Sequence, residues 1–148
     1  MKLTDTITYK LLAAQRKVRQ AVEQDFAHVG ITLDNYITLY HIYENPGINQ
    51  IELAILNDKD KNVIVKTLDR LEKEGLAVRK RSDNDRRAFT LSATEQGVAL
   101  IKKHWNLLFK RQKKSFDVLT KSEQATLLEL LSKVIDNEIC RNAARDTK

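Results

Sequence analysis

The chain has 148 residues, and its 26 lysines and arginines against 20 aspartates and glutamates leave a formal net charge of +6. Such a basic surplus is typical of proteins that bind nucleic acid and, less often, of proteins that bind anionic membranes. This length is that of one domain, and the single cysteine, Cys140, excludes a disulfide framework within the chain. No apolar run approaches the ~18 residues of a membrane-spanning helix, and no apolar segment follows Lys2 as it would in a signal peptide, so we expect a cytoplasmic protein without a membrane partner.

The first two predicted elements are helices. The chain has only 4 glycines and 1 proline, and this scarcity of helix breakers predicts a mostly helical fold. Apolar residues at helical spacing predict a first helix from about Thr4 to Val29, which Gly30 ends. A second helix fits Leu33 to Glu44, because Pro46 cannot continue it.

A short third helix and a longer fourth helix follow. The third fits Gln50 to Leu56, with Asn49 as its N-cap. Asn57 and Asp58 end it, and asparagine tolerates the left-handed conformation that such a turn needs. The fourth runs from near Asp60 to Glu74, and Gly75 caps it. Two helices joined by a tight polar turn are typical of a helix-turn-helix.

The period of the apolar residues changes after the fourth helix. Residues Leu76 to Arg81 predict a short strand that turns from apolar to basic, and residues Ala88 to Leu91 predict the returning strand. The turn cluster Ser82 to Asp85 lies between them. A hairpin directly after a helix-turn-helix predicts a winged helix-turn-helix.

Two further helices complete the chain. Thr94 caps a fifth helix from about Glu95 to Ser115, and the capping-box pattern Thr120 to Glu123 begins a sixth. The polar tail from Asn142 to Lys148 is expected to fray. The terminal helices carry more apolar residues than a winged domain can cover, which predicts a homodimer.

The predicted fold class is therefore mainly α with a small β-hairpin wing, an α+β winged helix-turn-helix with six helices. We assign residues 31–92 to a DNA-binding domain, and residues 1–30 and 93–148 to a helical dimerisation region. In a winged helix-turn-helix, the second helix of the motif, here the fourth helix, is the one that reads DNA. A two-fold dimer would place its two fourth helices ~34 Å apart, which is one turn of DNA, and would match a palindromic site.

The fourth helix carries the side chains best suited to the major groove. Its predicted buried stripe leaves Lys61, Asn62, Val63, Val65 and Lys66 in the first two turns. Asn62 suits adenine, Lys66 suits guanine or phosphate, and a valine suits a thymine methyl group. The alternative is that Val63 or Val65 is simply part of the core.

The hairpin tip carries Asp85, Arg86 and Arg87. Arginine suits a narrow minor groove, and a neighbouring aspartate can hold its guanidinium by a bidentate pair. The alternative is a solvated turn whose mixed charges neutralise one another. The position of the tip, directly after a helix-turn-helix, favours DNA contact.

Two stretches of the chain resemble a known family. The stretch from Asp60 to Leu76 looks like the recognition helix of the multiple antibiotic resistance regulator (MarR) family, and the stretch from Asp85 to Gly97 looks like its wing and the start of its fifth helix. The resemblance covers essentially the whole chain. It implies a homodimer whose first, fifth and sixth helices intertwine, with the fourth helix in the major groove and Arg87, paired to Asp85, in the minor groove.

The resemblance also implies a function. Family members commonly repress genes and release DNA when a small phenolic or other ligand binds, or when a cysteine is oxidised. This sequence departs from the family pattern at Val63 and Val65, where small hydroxyl residues are usual, and this indicates a base preference of its own. Asn49, Gln50 and Arg70 complete the set of expected DNA contacts.

Aromatic residues supply a candidate effector pocket. Tyr36, Tyr40 and His41 lie on the second helix, Trp105 lies on the fifth, and Arg16 is a candidate partner for a ligand carboxylate. An apolar cleft with a few polar groups suits a phenolic ligand. The alternative is that the aromatic residues are only core.

Other classes of function remain as alternatives. A redox-responsive regulator would use Cys140 beside Arg141, although peroxide-sensing family members keep that cysteine in the first helix. A metal-responsive regulator would use His41, Glu44 and His104, but no metal-ligand spacing is present, and we predict no cofactor. A winged-helix module that binds protein is disfavoured by the basic wing. Without a phosphate loop or nucleophile motif, we predict that the protein is not an enzyme.

Overall fold

A computed structural model describes residues 1–85 and 87–146. Within these residues the chain forms a short 3-10 helix at Leu3–Asp5, six α-helices and three β-strands. In chain order these are α1 (Ile7–Phe26), α2 (Leu33–Glu44), β1 (Ile48–Asn49), α3 (Gln50–Leu56), α4 (Lys61–Lys73), β2 (Ala77–Arg81), β3 (Phe89–Ala93), α5 (Glu95–Phe116) and α6 (Lys121–Asp146). The predicted fold class, mainly helical with a small wing, is confirmed.

The first two helices begin at threonine caps. Thr6 and Thr32 accept backbone hydrogen bonds through their side-chain oxygens, at 3.3 and 3.2 Å. α1 is shorter than predicted at both ends, because it begins after the Thr6 cap and ends at Phe26. Gly30 takes a φ of +82°, as expected of the residue that ends this segment.

The turn between α3 and α4 is that of a helix-turn-helix. Asn49 caps α3 as predicted, in a capping box with Glu52. The left-handed residue is Asp58, at φ +49°, and not Asn57, whose φ is −87°. Asn57 stays in the helical region, where its backbone N–H donates to the Leu53 carbonyl, and its side-chain oxygen accepts a hydrogen bond from the Thr38 hydroxyl at 3.1 Å. This bond ties the end of α3 to α2.

A third strand joins the predicted hairpin. β1 pairs antiparallel with β3, so the strand order of the sheet is β1–β3–β2. β2 and β3 pair as predicted, with Arg79 opposite Leu91. Because β1 runs directly into α3, the sheet attaches the start of the helix-turn-helix to the base of the wing.

α5 and α6 begin at predicted caps. Thr94 Oγ1 accepts a hydrogen bond from the Gly97 N–H at 3.0 Å, and Thr120 Oγ1 accepts one from the Glu123 N–H at 3.2 Å. α6 continues to Asp146, so the described part of the polar tail is helical, and its fraying stays a prediction. The alanines of this last turn favour helix strongly enough to continue it.

The core packs α2, α3 and α4 against the sheet and the start of α5. Its fully buried large side chains are Tyr36, Leu39, Ile42, Leu53, Ile64, Leu68, Leu71, Leu91 and Ile101. The chain separates into two compact units, Met1–Arg111 and Gln112–Lys148, and this core lies in the first. The division into residues 31–92 for DNA and residues 1–30 and 93–148 for dimerisation stays a prediction.

Candidate nucleic-acid interface

α4 buries one stripe of side chains and exposes others at its start. Ile64, Leu68 and Leu71 are at most 1% exposed and hold the helix against the core. The side chains left exposed in the first two turns are Lys61, Asn62, Val63 and Lys66. Four of the predicted major-groove residues are therefore free to meet another molecule.

The two valines of α4 have different surroundings. Val63 is 47% exposed, so it is not a core residue. Val65 is half-buried, and its carbonyl oxygen accepts a hydrogen bond from the Arg79 guanidinium at 3.4 Å. Since only an exposed methyl group can pack on a thymine methyl group, the geometry favours Val63 over Val65 as a base contact.

Three further predicted contacts lie at the start of α3 or on α4. Asn49 is half-buried, and its side-chain oxygen accepts the Glu52 N–H at 2.9 Å. Gln50 is half-buried in the first turn of α3. Arg70 Nε lies 2.9 Å from Glu74 Oε1 in a partly exposed pair. Such pairs are weak, so phosphate could replace Glu74 at little cost.

The wing tip is exposed, and its aspartate acts on the backbone. Asp85 Oδ1 accepts the backbone N–H of Arg87 at 2.9 Å. The predicted ion pair between the Asp85 and Arg87 side chains does not occur in the part of the chain that the structure describes. Asp85 therefore orders the turn, and the Arg87 side chain stays exposed. Arg86, the other predicted wing contact, lies outside the described residues.

Arg79 on β2 joins the wing to α4, and sequence reasoning did not identify it. Its backbone N–H donates to Glu72 Oε1 at 2.9 Å, and its Nη2 lies 2.6 Å from Asp69 Oδ1. Its Nη1 lies 3.5 Å from Glu72 Oε2. The available signal was two carboxylates three residues apart on a helix, followed by an arginine in the next strand.

The predicted aromatic effector residues occupy two environments. Tyr36 is fully buried, its hydroxyl donates to the Ile101 carbonyl at 3.0 Å, and burial raises its pKa. Tyr40 stacks on Trp105 with 5.1 Å between ring centroids, and both are half-buried. His41 is half-buried too, and its Nδ1 is buried with no hydrogen-bond partner among the described residues. Tyr36 is thus core, whereas the other three keep some surface.

A groove of about 770 Å³ lies between α1, α2 and α4. Arg19 and Asp34 line it, and their side chains are 2.8 Å apart. The hydrogen bond from Arg19 holds the pKa of the Asp34 carboxyl below its ordinary value. The lining of this groove includes Val63 and Lys66 of α4, but neither the predicted aromatic residues nor Arg16, which is exposed on α1.

The alternative functions would need a group of metal ligands or a reactive thiol. Within residues 1–85 and 87–146, no three His, Cys, Asp or Glu side chains are grouped as metal ligands. Cys140 is a free, exposed thiol on α6. In the same part of the chain, no helix has both the length and the apolar composition needed to cross a bilayer.

The chain is similar in sequence to known proteins. Residues 29–88, which hold α2, α3, α4 and β2, match the MarR family. The chain is 34% identical over 105 residues to a Thauera aromatica protein named for transcriptional regulation of the hcr operon. That match covers 71% of this chain and 63% of the Thauera protein, so the chain spans less than two thirds of that relative.

Solved structures of similar fold include two complexes with DNA. The transcriptional repressor CouR, bound to a 23-mer DNA duplex, is 30% identical with a TM-score of 0.84, over 90% of this chain and 94% of CouR. A mutant MarR of E. coli complexed with operator DNA is 25% identical with a TM-score of 0.82, over 90% of this chain and 99% of that one.

Proposed function

The chain belongs to the MarR family of transcriptional regulators, a family of non-enzymatic proteins, and from this premise we propose that it is a homodimeric repressor of palindromic operator DNA. One observation carries the proposal: the exposed start of α4 and the exposed wing tip belong to the same compact unit. The similar structures of CouR and E. coli MarR are bound to DNA, which supports the same use of this unit here.

The side chains suggest a division of roles in DNA recognition. Asn62 offers both a donor and an acceptor, the pair that adenine presents in the major groove, and Lys66 suits guanine or phosphate. Val63 suits a thymine methyl group. The exposed Arg87 suits the negative potential of a narrow minor groove. The net charge of +6 adds attraction to phosphate of any sequence.

Dimerisation through residues 1–30 and 93–148 is supported by exposed apolar side chains in both of those regions. In the first, Leu3 is 73% and Ile7 is 84% exposed. In α6, Leu128, Ile135 and Ile139 are each more than half exposed. Extensive exposed apolar surface is typical of a protein–protein contact, so we propose that a second copy of the chain covers these side chains.

Release of the DNA by a small-molecule effector is part of the proposal, and the half-buried pair Tyr40 and Trp105 supports it. Aromatic surface beside a polar group such as His41 suits a phenolic ligand. Trp105 is the single tryptophan of the chain, so its fluorescence would report a ligand that binds at this pair. We keep the cytoplasm as the proposed location.

The decisive experiment is selection of bound DNA from a random pool with the full chain. We expect enrichment of a palindrome whose half-sites lie one turn, ~34 Å, apart. Affinity for the selected site should fall steeply with salt through release of counterions. Lys66→Ala should weaken binding, whereas Lys133→Ala, which removes an exposed lysine of α6, should not. Failure to enrich any palindrome, or an affinity insensitive to salt, would contradict the proposal.

A further inference from the structure

A single side chain of the wing, that of Arg79, reaches α4 at three of its residues. The guanidinium contacts the Val65 carbonyl oxygen and the carboxylates of Asp69 and Glu72. The spacing of four and three residues places these acceptors along one side of the helix, over about two turns. The Arg79 backbone N–H also donates to Glu72. Backbone and side chain of one strand residue are thus both bonded to α4.

The contact with Asp69 is the strong one. A hydrogen bond between a guanidinium and a carboxylate is about twice as strong as a neutral one, and Arg79 Nη2 lies 2.6 Å from Asp69 Oδ1, whereas the contacts with Val65 and Glu72 are longer, at 3.4 and 3.5 Å. The Arg79 side chain is only 21% exposed, so water competes for it less than at an open surface. Its Nε is buried with no hydrogen-bond partner among the described residues. The guanidinium is therefore held by its Nη atoms at the expense of one unsatisfied N–H.

Arg79 lies where the wing leaves the body of the protein. Beyond it, Lys80 and Arg81 pair with β3 and lead to the exposed tip that carries Arg87. Of the ion pairs formed by residues 1–85 and 87–146, the two made by Arg79 join the wing to α4. If the hairpin rotated at this point, β2 and β3 could stay paired, but the tip that carries Arg87 would move relative to α4.

We propose that Arg79 is a positioning residue: it fixes the wing relative to α4, so that Arg87 and the α4 side chains meet their two grooves together. The inference rests on the proposed DNA-binding function. Duplex geometry sets the separation between the grooves, so a wing that pivots must be ordered when DNA binds, and this ordering lowers the affinity. Lysine cannot replace Arg79, because an ammonium is a point charge without the planar fork.

The first test is a double-mutant cycle on the selected operator, with the full chain. Arg79→Met keeps the length of the side chain and removes its hydrogen bonds. We expect it to weaken operator binding roughly ten-fold, the size of one lost specific contact, and Arg79→Lys to do nearly the same. Arg87→Ala should then weaken binding much less in the Arg79→Met background than in the unsubstituted protein. Fold-changes that simply multiply would mean that the two residues act independently, and would overturn the proposal.

The second test needs no DNA. Residual dipolar couplings of backbone amides report whether the wing and α4 share one fixed orientation. We expect one shared orientation in the unsubstituted protein and in Lys133→Met, which breaks an exposed ion pair on α6, and its loss in Arg79→Met. A shared orientation that survives Arg79→Met would refute the positioning role.

The two tests separate this inference from the function on which it rests. Arg79→Met could lose the shared orientation while the unsubstituted protein shows no affinity for DNA. That result would overturn the DNA-binding function, but the conclusion that Arg79 attaches the wing to α4 would stand. If Arg79→Met does not fold, Asp69→Ala combined with Glu72→Met removes both carboxylate partners of Arg79 from the α4 side and carries the same expectations.

Discussion

At the scale of single residues, the exposed side chains of α4 and the wing separate into those that can read a base and those that cannot. Asn62 carries a donor and an acceptor that match one base edge, so losing it should matter at one base pair of each half-site. Under the proposed function, Arg87 would respond to the electrostatic potential of a groove, which many sequences share. Substitutions at these two positions should therefore have different signatures.

Asn62→Ala is expected to reduce discrimination at one position of the operator by ~1–3 kcal/mol, whereas Arg87→Ala should weaken most sequences alike. The measurement is competition binding against a panel of operators with single-base changes. Asn106→Ala, which removes an exposed asparagine of α5, is the matched control and should leave the panel unchanged. If Asn62→Ala weakened every operator by one common factor, its assignment as a base contact would be wrong.

Gly97 is a residue whose importance comes from packing alone. A Cβ at this position would overlap the carbonyl oxygen of Leu76 and lie 3.3 Å from a methyl carbon of Leu39. Because backbone would have to move, Gly97→Ala is expected to lower the free energy of unfolding by ~1–3 kcal/mol. Helix propensity alone predicts the opposite sign, a gain of up to ~1 kcal/mol. Urea denaturation of the two proteins decides between these signs.

At the scale of elements, α1 is attached to its neighbours by ion pairs at two points. Arg19 binds Asp34 at the start of α2 at 2.8 Å. Asp25 accepts two hydrogen bonds, at 2.6 and 2.7 Å, from the Arg111 guanidinium on α5. The bidentate geometry raises the pKa of Arg111 and orients α1 as well as attracting it. α1 is thus held to both α2 and α5 within the first unit.

The Arg19–Asp34 pair has a defined pH dependence. The pKa of Asp34 is lower in the folded state than its unfolded value of ~3.9, so the pair stabilises the fold above that value. Its contribution is lost as the pH falls through the lower, folded-state value. Both side chains are more than a third exposed, at 37 and 46%, which limits the effect to at most ~1 kcal/mol.

Asp34→Asn is therefore expected to lower the free energy of unfolding at pH 7. It should leave that free energy unchanged once the pH is below the pKa of Asp34 in both the folded and the unfolded state. Urea denaturation over this pH range measures the difference. Asp136→Asn, at an exposed aspartate of α6, controls for the change in net charge. A difference that persisted at the lowest pH would show that Asp34 stabilises α2 by something other than its charge.

Several elements were predictable because their signals are local. The bounds of α2 and α3 follow from caps and breakers within a few residues, and the exposure of Lys61, Asn62 and Lys66 follows from the apolar stripe of α4. β1 was not predictable, because a strand of two residues has no period of its own and forms only by pairing with β3. The contacts of Arg79 depend in the same way on where β2 returns along α4.

Turn chemistry shows how far residue preferences extend. Asparagine tolerates the left-handed region well, which favoured Asn57 at the end of α3. The structure gives that conformation to Asp58, and the side chain of Asn57 accepts a hydrogen bond from Thr38 on α2. The preferences of two adjacent residues are too similar to choose between them, and a contact such as this one, between distant parts of the chain, is not visible in the local sequence.

At the scale of the whole molecule, charge and exposed apolar surface make different demands. The net charge of +6 attracts phosphate and keeps copies of the chain apart at long range. The apolar side chains of α6 favour association at contact. A dimer reconciles the two if the exposed Leu128, Ile135 and Ile139 of α6 are covered while the start of α4 and the wing stay open to DNA.

Substitution on α6 tests this association directly. Ile135 is 56% exposed on α6, and burying such a side chain is worth ~1.5–3 kcal/mol, so a glutamate there should weaken a dimer by at least ten-fold. Ile135→Glu is expected to raise the dimer dissociation constant in sedimentation equilibrium. Operator binding by this variant should then be limited by dimer formation at protein concentrations at which the unsubstituted chain is already dimeric. Asn137→Glu adds the same charge two residues away and, because successive helical residues face different directions, should change neither measurement. An Ile135→Glu protein that sediments as the same dimer would place the interface elsewhere, and an unsubstituted chain that sediments as a monomer would remove the basis for a palindromic site.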